Sequence, residues 1–324
     1  MARIIRYKGR YYDMGTSNKS FLQVSKDLKA IGIENCYFML EIFDYSLINV
    51  DPYAVDEQGR TKLTKDQISR IITECKRNPW YFLREIVRIT EAGSKVGVPY
   101  KANRGNIAQA WCIINNLDSW LCLPRQQGKT MSALALELWI YNFGTSSSTF
   151  IFINKDGDNA KENLRRIGNL IEALPEYMRF QSIMSEEGKV TKAKKNATEY
   201  GHPVTGNKII TKARASSYDG ALSIARGLTA PLLHFDEPEF TPYIDVIVKN
   251  SVSTFETAHR KSIENGAISA RIFTCTPEKA PGVNTRNSIK QNFLNCWKLL
   301  LGFMYRSVTI IKIETISSDI LYLT

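Results

Sequence analysis

The chain has 324 residues, of which 44% are apolar and 23% charged, enough for one large folded domain or two modest ones. No apolar run reaches the ~18 residues of a membrane span, and the basic N-terminus lacks the apolar core of a secretory signal. Six cysteines without a C-x-x-C pair and three scattered histidines exclude a zinc-ligand pattern and point to a reducing compartment. Lysine and arginine number 43 against 32 acidic residues, a formal charge of +11. That excess favours a polyanionic partner, because each neutralised phosphate releases counterions; a basic protein with no such partner is the alternative.

Residues 1–60 mix short apolar runs with turn signals, Asn49-Val50-Asp51-Pro52 and Glu57-Gln58-Gly59-Arg60, and read as an N-terminal extension. Leu63, Ile68, Ile71 and Ile72 then recur at helical spacing, and Thr64 with Gln67 predicts a capping box. Asn78-Pro79 starts a further helix, with proline in its first turn. Residues 90–105, with Gly93, Gly97, Pro99 and Gly105, read as a loop. Strands and helices alternate from there: strand over 120–123, helix over 131–141, strand over 149–153, amphipathic helix over 159–174, strands over 231–235 and 271–275. The polar stretch 185–215, with Gly188, Gly201 and Gly206, reads as hairpins or an exposed excursion. Such alternation predicts an α/β domain over residues 61–285, its mostly parallel sheet flanked by helices.

Three strand ends carry chemistry. After the first strand comes Leu123-Pro124-Arg125-Gln126-Gln127-Gly128-Lys129-Thr130. Gly128-Lys129-Thr130 is the second half of a P-loop (Walker A) pattern: a turn and a helix N-terminus hold phosphate, the lysine reaches its outer oxygens, and the hydroxyl ligates Mg²⁺. The first glycine is missing, Leu123 standing in its place. The strand Leu232-Leu233-His234-Phe235 ends in Asp236-Glu237. Because strand residues alternate in direction, one acid can aim at Mg²⁺ and the other at water: Asp236 as metal partner, Glu237 as general base. The third strand ends in Thr274-Cys275-Thr276-Pro277, whose hydroxyls could sense a γ-phosphate.

In this order and spacing the motifs resemble the ATPase half of the large terminase subunit, the genome-packaging motor of tailed bacteriophages. The matching features are the Walker A variant at 124–130, Arg226-Gly227 ahead of the Walker B pair Asp236-Glu237, and the Thr-x-Thr-Pro coupling motif at 274–277. Residues 75–82 and Gln109 match upstream, and the similarity spans about residues 60–285. The resemblance implies a P-loop NTPase of RecA/ASCE type with an N-terminal helical lid or extension, using ATP and Mg²⁺. It implies that Gln109, Arg125, Gln126, Gln127, Gly128, Lys129, Thr130 and Arg226 bind nucleotide. Glu237, Arg125, Thr274 and Thr276 are then catalytic or coupling residues, and Thr130 and Asp236 hold the metal. An arginine beside the nucleotide can stabilise transition-state charge; whether Arg125 or Arg226 does so is open, and Arg125 also admits a structural role. Implied partners are double-stranded DNA, a portal protein, a small terminase subunit and further copies in a ring, in the host cytoplasm and without a membrane. A helicase-like ATPase and a fragment without turnover are the rival readings.

For DNA, Lys192, Lys194, Lys195, Lys208 and Lys212 could track phosphates without regard to sequence; a solvated face is the plainer reading. Residues 286–324 form an atypical tail, apolar and then β-branched from 309 to 316, with Asp319 its only aspartate. The family's nuclease domain is therefore expected not to be carried here, as in a split or truncated gene product; a tail docked on the sheet as a last strand is the alternative.

Overall fold

A computed structural model describes residues 4–90, 97–180, 182–184, 190–224, 230–276 and 309–311. The chain opens with strands β1 (Ile4–Tyr7) and β2 (Arg10–Asp13), helix α1 (Lys19–Ala30) and β3 (Glu41–Ile42), the strands forming a small antiparallel sheet. Helix α2 (Lys65–Arg77), the single turn α3 (Pro79–Tyr81) and a hairpin of β4 (Arg88–Ile89) and β5 (Val98–Pro99) follow. Helix α4 (Arg104–Ile114) leads into β6 (Ser119–Cys122), α5 (Lys129–Trp139), β7 (Thr149–Asn154) and α6 (Gly157–Glu172). Next come the pair β8 (Ser182–Met184) and β9 (Val190–Lys192), then β10 (Lys194–Lys195), β11 (Glu199–Gly201), β12 (Lys208–Lys212) and α7 (Tyr218–Ser223). The last described elements are β13 (Leu232–Asp236), α8 (Ile244–Glu264), β14 (Ala270–Cys275) and β15 (Thr309–Ile311).

The central sheet runs β10-β11-β12-β7-β13-β14-β6-β15. From β12 to β15 every neighbour is parallel; β10 and β11 add an antiparallel edge. The α/β, mostly parallel architecture of a P-loop fold is thus present. β14 lies between β6 and β13, so the ends of the three motif-bearing strands are adjacent.

Pleating sorts the side chains. Phe150 and Phe152 of β7 face one apolar cluster, with Leu134, Leu138, Leu164 and Ile167 of α5 and α6; Ile151 and Ile153 face the other, with Ile247 and Phe255 of α8. Burial on both faces is what a central parallel strand requires, and each such large side chain stabilises the fold by roughly 1.5–3 kcal/mol. On the α8 face Trp120, Phe273 and Phe235 stack across three strands, with centroids 4.7 Å apart at each step.

The predicted capping box is present: Thr64 Oγ1 accepts from the Gln67 amide at 3.2 Å, and Gln67 Oε1 from the Thr64 amide at 2.9 Å. The loop expected over 90–105 is shorter than that, because Asn103 caps α4 and draws Arg104 and Gly105 into its first turn. Likewise α5 begins at Lys129 rather than 131, directly behind the left-handed Gly128. Residues of the N-terminal 60, among them Tyr12, Phe21, Met39 and Leu40, share the first apolar cluster with α2 and α5. The Glu74 carboxylate pins that segment by accepting from the Phe43 and Asp44 amides.

The polar stretch before α7 is sheet, not free excursion. Tyr200 packs on α6 where Gly168 leaves no room for a Cβ. His202 Nδ1 accepts from the Val204 and Thr205 amides, so Nε2 carries the proton and donates to Asn142 Oδ1 at 3.1 Å. Burial pushes the His202 imidazole down to about 4. The tail strand β15 pairs in parallel with β6; the rest of 286–324 lies outside the described residues, as do Arg226, Gly227, Pro277, Gly93 and Gly188.

Candidate nucleotide-hydrolysis site

Ligands of open α/β sheets bind beyond the C-terminal ends of the strands, and there the motif residues meet. After β6, buried Leu123 continues the strand, its amide donating to the Cys275 carbonyl at 3.2 Å. The loop then turns through two left-handed residues, Gln126 at φ 65 and Gly128 at φ 69. The missing first glycine is thereby explained: its position lies one residue past β6 and is still bonded to β14, and the left-handed residues fall three and five positions later. For Gln126, which has a Cβ, that conformation costs about 1–3 kcal/mol, held in place by its surroundings. Nδ2 of Asn103, the cap of α4, and Nδ2 of Asn106 in its first turn donate to the Gln127 carbonyl at 3.1 and 3.4 Å, bracing the loop from outside. Arg125, Gln126 and Gln127 are exposed, whereas Lys129 is buried.

Register explains the rest. Asp236 lies opposite Thr274 in the parallel ladder, and Thr274 Oγ1 donates to Asp236 Oδ1 at 2.7 Å. Thr130 Oγ1 donates to the same oxygen at 2.9 Å, and Asn163 Nδ2 of α6 to Oδ2 at 2.8 Å. Lys129 Nζ donates to Thr276 Oγ1 at 2.5 Å. The Thr276 hydroxyl in turn lies 3.5 Å from Glu237 Oε1. The bonds form two sets, Lys129–Thr276–Glu237 and Thr130–Asp236–Thr274, joined by the Glu237 amide donating to the Thr274 carbonyl at 2.8 Å.

Glu237 is aimed differently from the expectation. Strand alternation does not direct it, because β13 ends at Asp236 and Glu237 turns out through a left-handed conformation, φ 52 and ψ 53. Its Oε2 is held by Lys155 Nζ at 2.5 Å, just past the end of β7. That hydrogen bond holds the Lys155 ammonium above its ordinary range, while the nearby Arg125 charge opposes it.

A second, fully buried layer supports the first. His234 Nε2 lies 2.9 Å from Thr274 Oγ1, and Nδ1 lies 2.8 Å from Glu137 Oε1 on α5. Thr274 gives its only proton to Asp236, so Nε2 must donate, and Nδ1 faces a carboxylate. Burial pulls the His234 imidazole down, but the Glu137 charge more than offsets it and the group titrates above its usual value. This contact brings α5, the helix behind the loop, against the strand that carries Asp236.

Glu137, His234, Asn163, Lys155 and Glu239 belong to this site, and the motifs did not point to them. A signal existed for the first three: each is polar inside an otherwise apolar helix or strand face. Gln109 sits one turn beyond Asn106 on α4; among the described residues neither of its buried amide atoms has a partner. The lysines are distributed unequally. Register places Lys194, Lys208 and Lys212 on one face of the edge and Lys195 on the other, while Lys192 lies in the separate β8–β9 pair. Lys194 pairs with Glu199 at 2.9 Å and Lys195 with Glu172 at 3.3 Å.

No protein-family model matches the chain, and no curated protein matches it. Among solved structures it is similar to the large terminase of bacteriophage HK97, at 12% identity over 73% of this chain and 43% of that one, with a TM-score of 0.44. It is also similar to the large terminase ATPase domain of Thermus phage P74-26, at 18% identity over 60% of this chain and 71% of that one, TM-score 0.36. A third is the large terminase of another thermophilic bacteriophage in complex with ADP, at 15% identity over 53% of this chain and 38% of that one, TM-score 0.34. The chain thus spans less than half the length of the HK97 protein it matches.

Proposed function

We propose that this chain is the ATP-hydrolysing motor of viral genome packaging, coupling the conversion of ATP and water to ADP and phosphate to translocation of double-stranded DNA into a procapsid. One observation carries the ATPase part: Lys129, Thr276 and Glu237 form one hydrogen-bonded set and Thr130, Asp236 and Thr274 a second, joined by the Glu237 amide on the Thr274 carbonyl, where three strand ends meet at the C-terminal edge of a parallel sheet. The packaging part rests on the resemblance of the motifs at 124–130, 236–237 and 274–277 to large terminases.

Each residue has a definable task. The loop amides and Lys129 take the phosphate chain. The Thr130 hydroxyl and the Asp236 carboxylate are hard oxygen donors that fit Mg²⁺, which takes few protein ligands and completes its shell with phosphates and water. Among the described residues no group of three or more His, Cys, Asp or Glu could hold a metal ion. When bound with the nucleotide, the metal would supply charge neutralisation at the phosphates. Glu237 accepts the proton of the attacking water, and Arg125 contributes charge stabilisation. The resemblance assigns Gln109 to the base, and its amide is buried in this structure. Thr274 and Thr276 relay the loss of phosphate to the sheet. The acting assembly is a ring on a portal, with a small terminase subunit and DNA as partners, in the host cytoplasm; among the described residues no helix is long and apolar enough to cross a membrane.

The test is phosphate release by the purified chain with Mg²⁺ and ATP, with and without double-stranded DNA, alongside Lys129→Ala. Release abolished by the substitution and raised by DNA is the expected result. No release under any condition would leave a nucleotide-binding fragment, and strand separation without translocation would favour a helicase.

A further inference from the structure

The sharp turn after β13 carries a third acid, which none of the motifs uses. Glu239 lies in the single turn Pro238–Phe240 that begins at the left-handed Glu237. Its Oε1 accepts the backbone amide of Thr276 at 2.6 Å. Its Oε2 is buried, and no donor among the described residues reaches it. An ionised carboxylate does not leave one oxygen buried and without a donor at small cost, because burying unpaired charge is far dearer than burying a neutral carboxyl. Thr276 is meanwhile the junction of the cluster: its hydroxyl accepts from Lys129 and reaches towards Glu237, and its amide belongs to Glu239.

We propose that Glu239 is a positioning residue for hydrolysis, a neutral carboxylic acid that fixes Thr276 and, through it, Lys129 and Glu237. This deepens the ATPase reading and rests on it. The groups that face it pull in two directions. Glu237 on its own turn adds negative charge that favours the neutral form, and Cys122 on β6 and Cys275 on β14 feel the Glu239 charge; among the described residues the Thr276 amide, its own amide and Lys129 on α5 pull the other way. Burial outweighs the Thr276 amide and the lysine, and raises the group to about 7. Loss of the proton places a second charge beside Glu237 and draws Lys129 away from phosphate. Turnover then falls as pH rises through about 7, and the effect lies in kcat more than KM.

Two measurements on the full chain decide it. In phosphate release between about pH 6 and about pH 8, Glu239→Ala lowers kcat by about tenfold or more, since it strands the Thr276 amide. Glu239→Gln keeps an acceptor for that amide, recovers most of the loss, and removes the decline of kcat with pH. In infrared difference spectra between the same pH limits, the wild type shows the C=O band of a protonated carboxylic acid, and Glu239→Gln lacks it. A missing wild-type band, a Gln variant that keeps the wild-type pH profile, or an Ala variant with wild-type kcat overturns the proposal. Absence of turnover in the wild type overturns the ATPase reading instead, and the band still reports the state of the acid.

Discussion

The strand ends of β6, β13 and β14 and the lysine-rich edge around β10–β12 are two polar regions of one sheet, built in opposite ways. At the strand ends, residues as far apart as Lys129 and Thr276, 147 positions, converge within hydrogen-bonding distance. At the edge, residues adjacent in sequence diverge: Lys194 and Lys195 face opposite sides, and each is engaged by a glutamate. The contrast shows what spacing encodes. A motif order that matches a sheet topology places its side chains together, because parallel register fixes which strand ends are level. A run of like charges carries no such instruction, and the pleat disperses it.

The largest expected effect lies in the cluster. Glu237→Gln removes the base while keeping its shape and lowers phosphate release by about 10²–10⁴-fold, with nucleotide binding retained in a fluorescent-nucleotide titration. The same assay on Lys212→Ala is expected to read near wild type; equal losses would erase the distinction between the two regions.

The layer beneath the cluster sharpens the contrast through stability. Glu137→Ala leaves the buried His234 ring without the carboxylate 2.8 Å from its Nδ1, and removing one partner of a buried pair costs about 3–5 kcal/mol. Urea denaturation at neutral pH reads this directly. Breaking the Lys195–Glu172 pair, whose side chains are 59% and 61% exposed, should change the same midpoint by no more than about 0.5 kcal/mol. A cost for Glu137→Ala near that of Lys195→Ala would mean that the buried contact does not tie α5 to β13.

His202 joins the two regions, anchoring the lysine hairpin to Asn142 beyond the far end of α5. Its folded-state value of about 4 lies below the ordinary 6.5. The unfolded chain therefore binds the extra proton first, and stability is fully present above about pH 6.5 and lost as pH falls towards 4. The shift is worth roughly 3 kcal/mol across that window. Thermal melts at stepped pH should show the acid limb in the wild type and a shallower one in His202→Gln; identical limbs would sink the assignment.

How much of this was legible in the sequence follows the same division. The strand ends, the turn that leads into α5 and the capping box were readable, because periodicity, a Gly-Lys-Thr triplet and an acidic pair each have a local cause. The direction of Glu237 was not, since a left-handed residue after β13 overrides strand alternation. Nor were Lys155 and Glu239, whose roles depend on β7 lying beside β13 and β14 lying between β13 and β6, adjacencies no local pattern displays. His234 and Glu137 could have been flagged as polar residues in apolar surroundings, though not paired with each other. The hairpin character of 185–215 was readable; the docking of Tyr200 on Gly168 and the division of the lysines between two faces depend on register.

The smallest effect decides what the edge is for. If Lys208 and Lys212 neutralise DNA phosphates, each releases about one counterion. Alanine at either should then reduce the slope of log affinity against log salt by about 0.9, with only a modest loss of affinity at low salt. Lys195→Ala should change the slope less, because that lysine already spends its charge on Glu172 and lies on the other face. Binding of a fixed-length duplex over a salt series gives all three slopes at once. Equal slopes for the three variants would mean that the faces are not distinguished. A slope unchanged in the Lys208→Ala and Lys212→Ala double variant would make the edge a solvated surface and move the DNA track elsewhere on the chain.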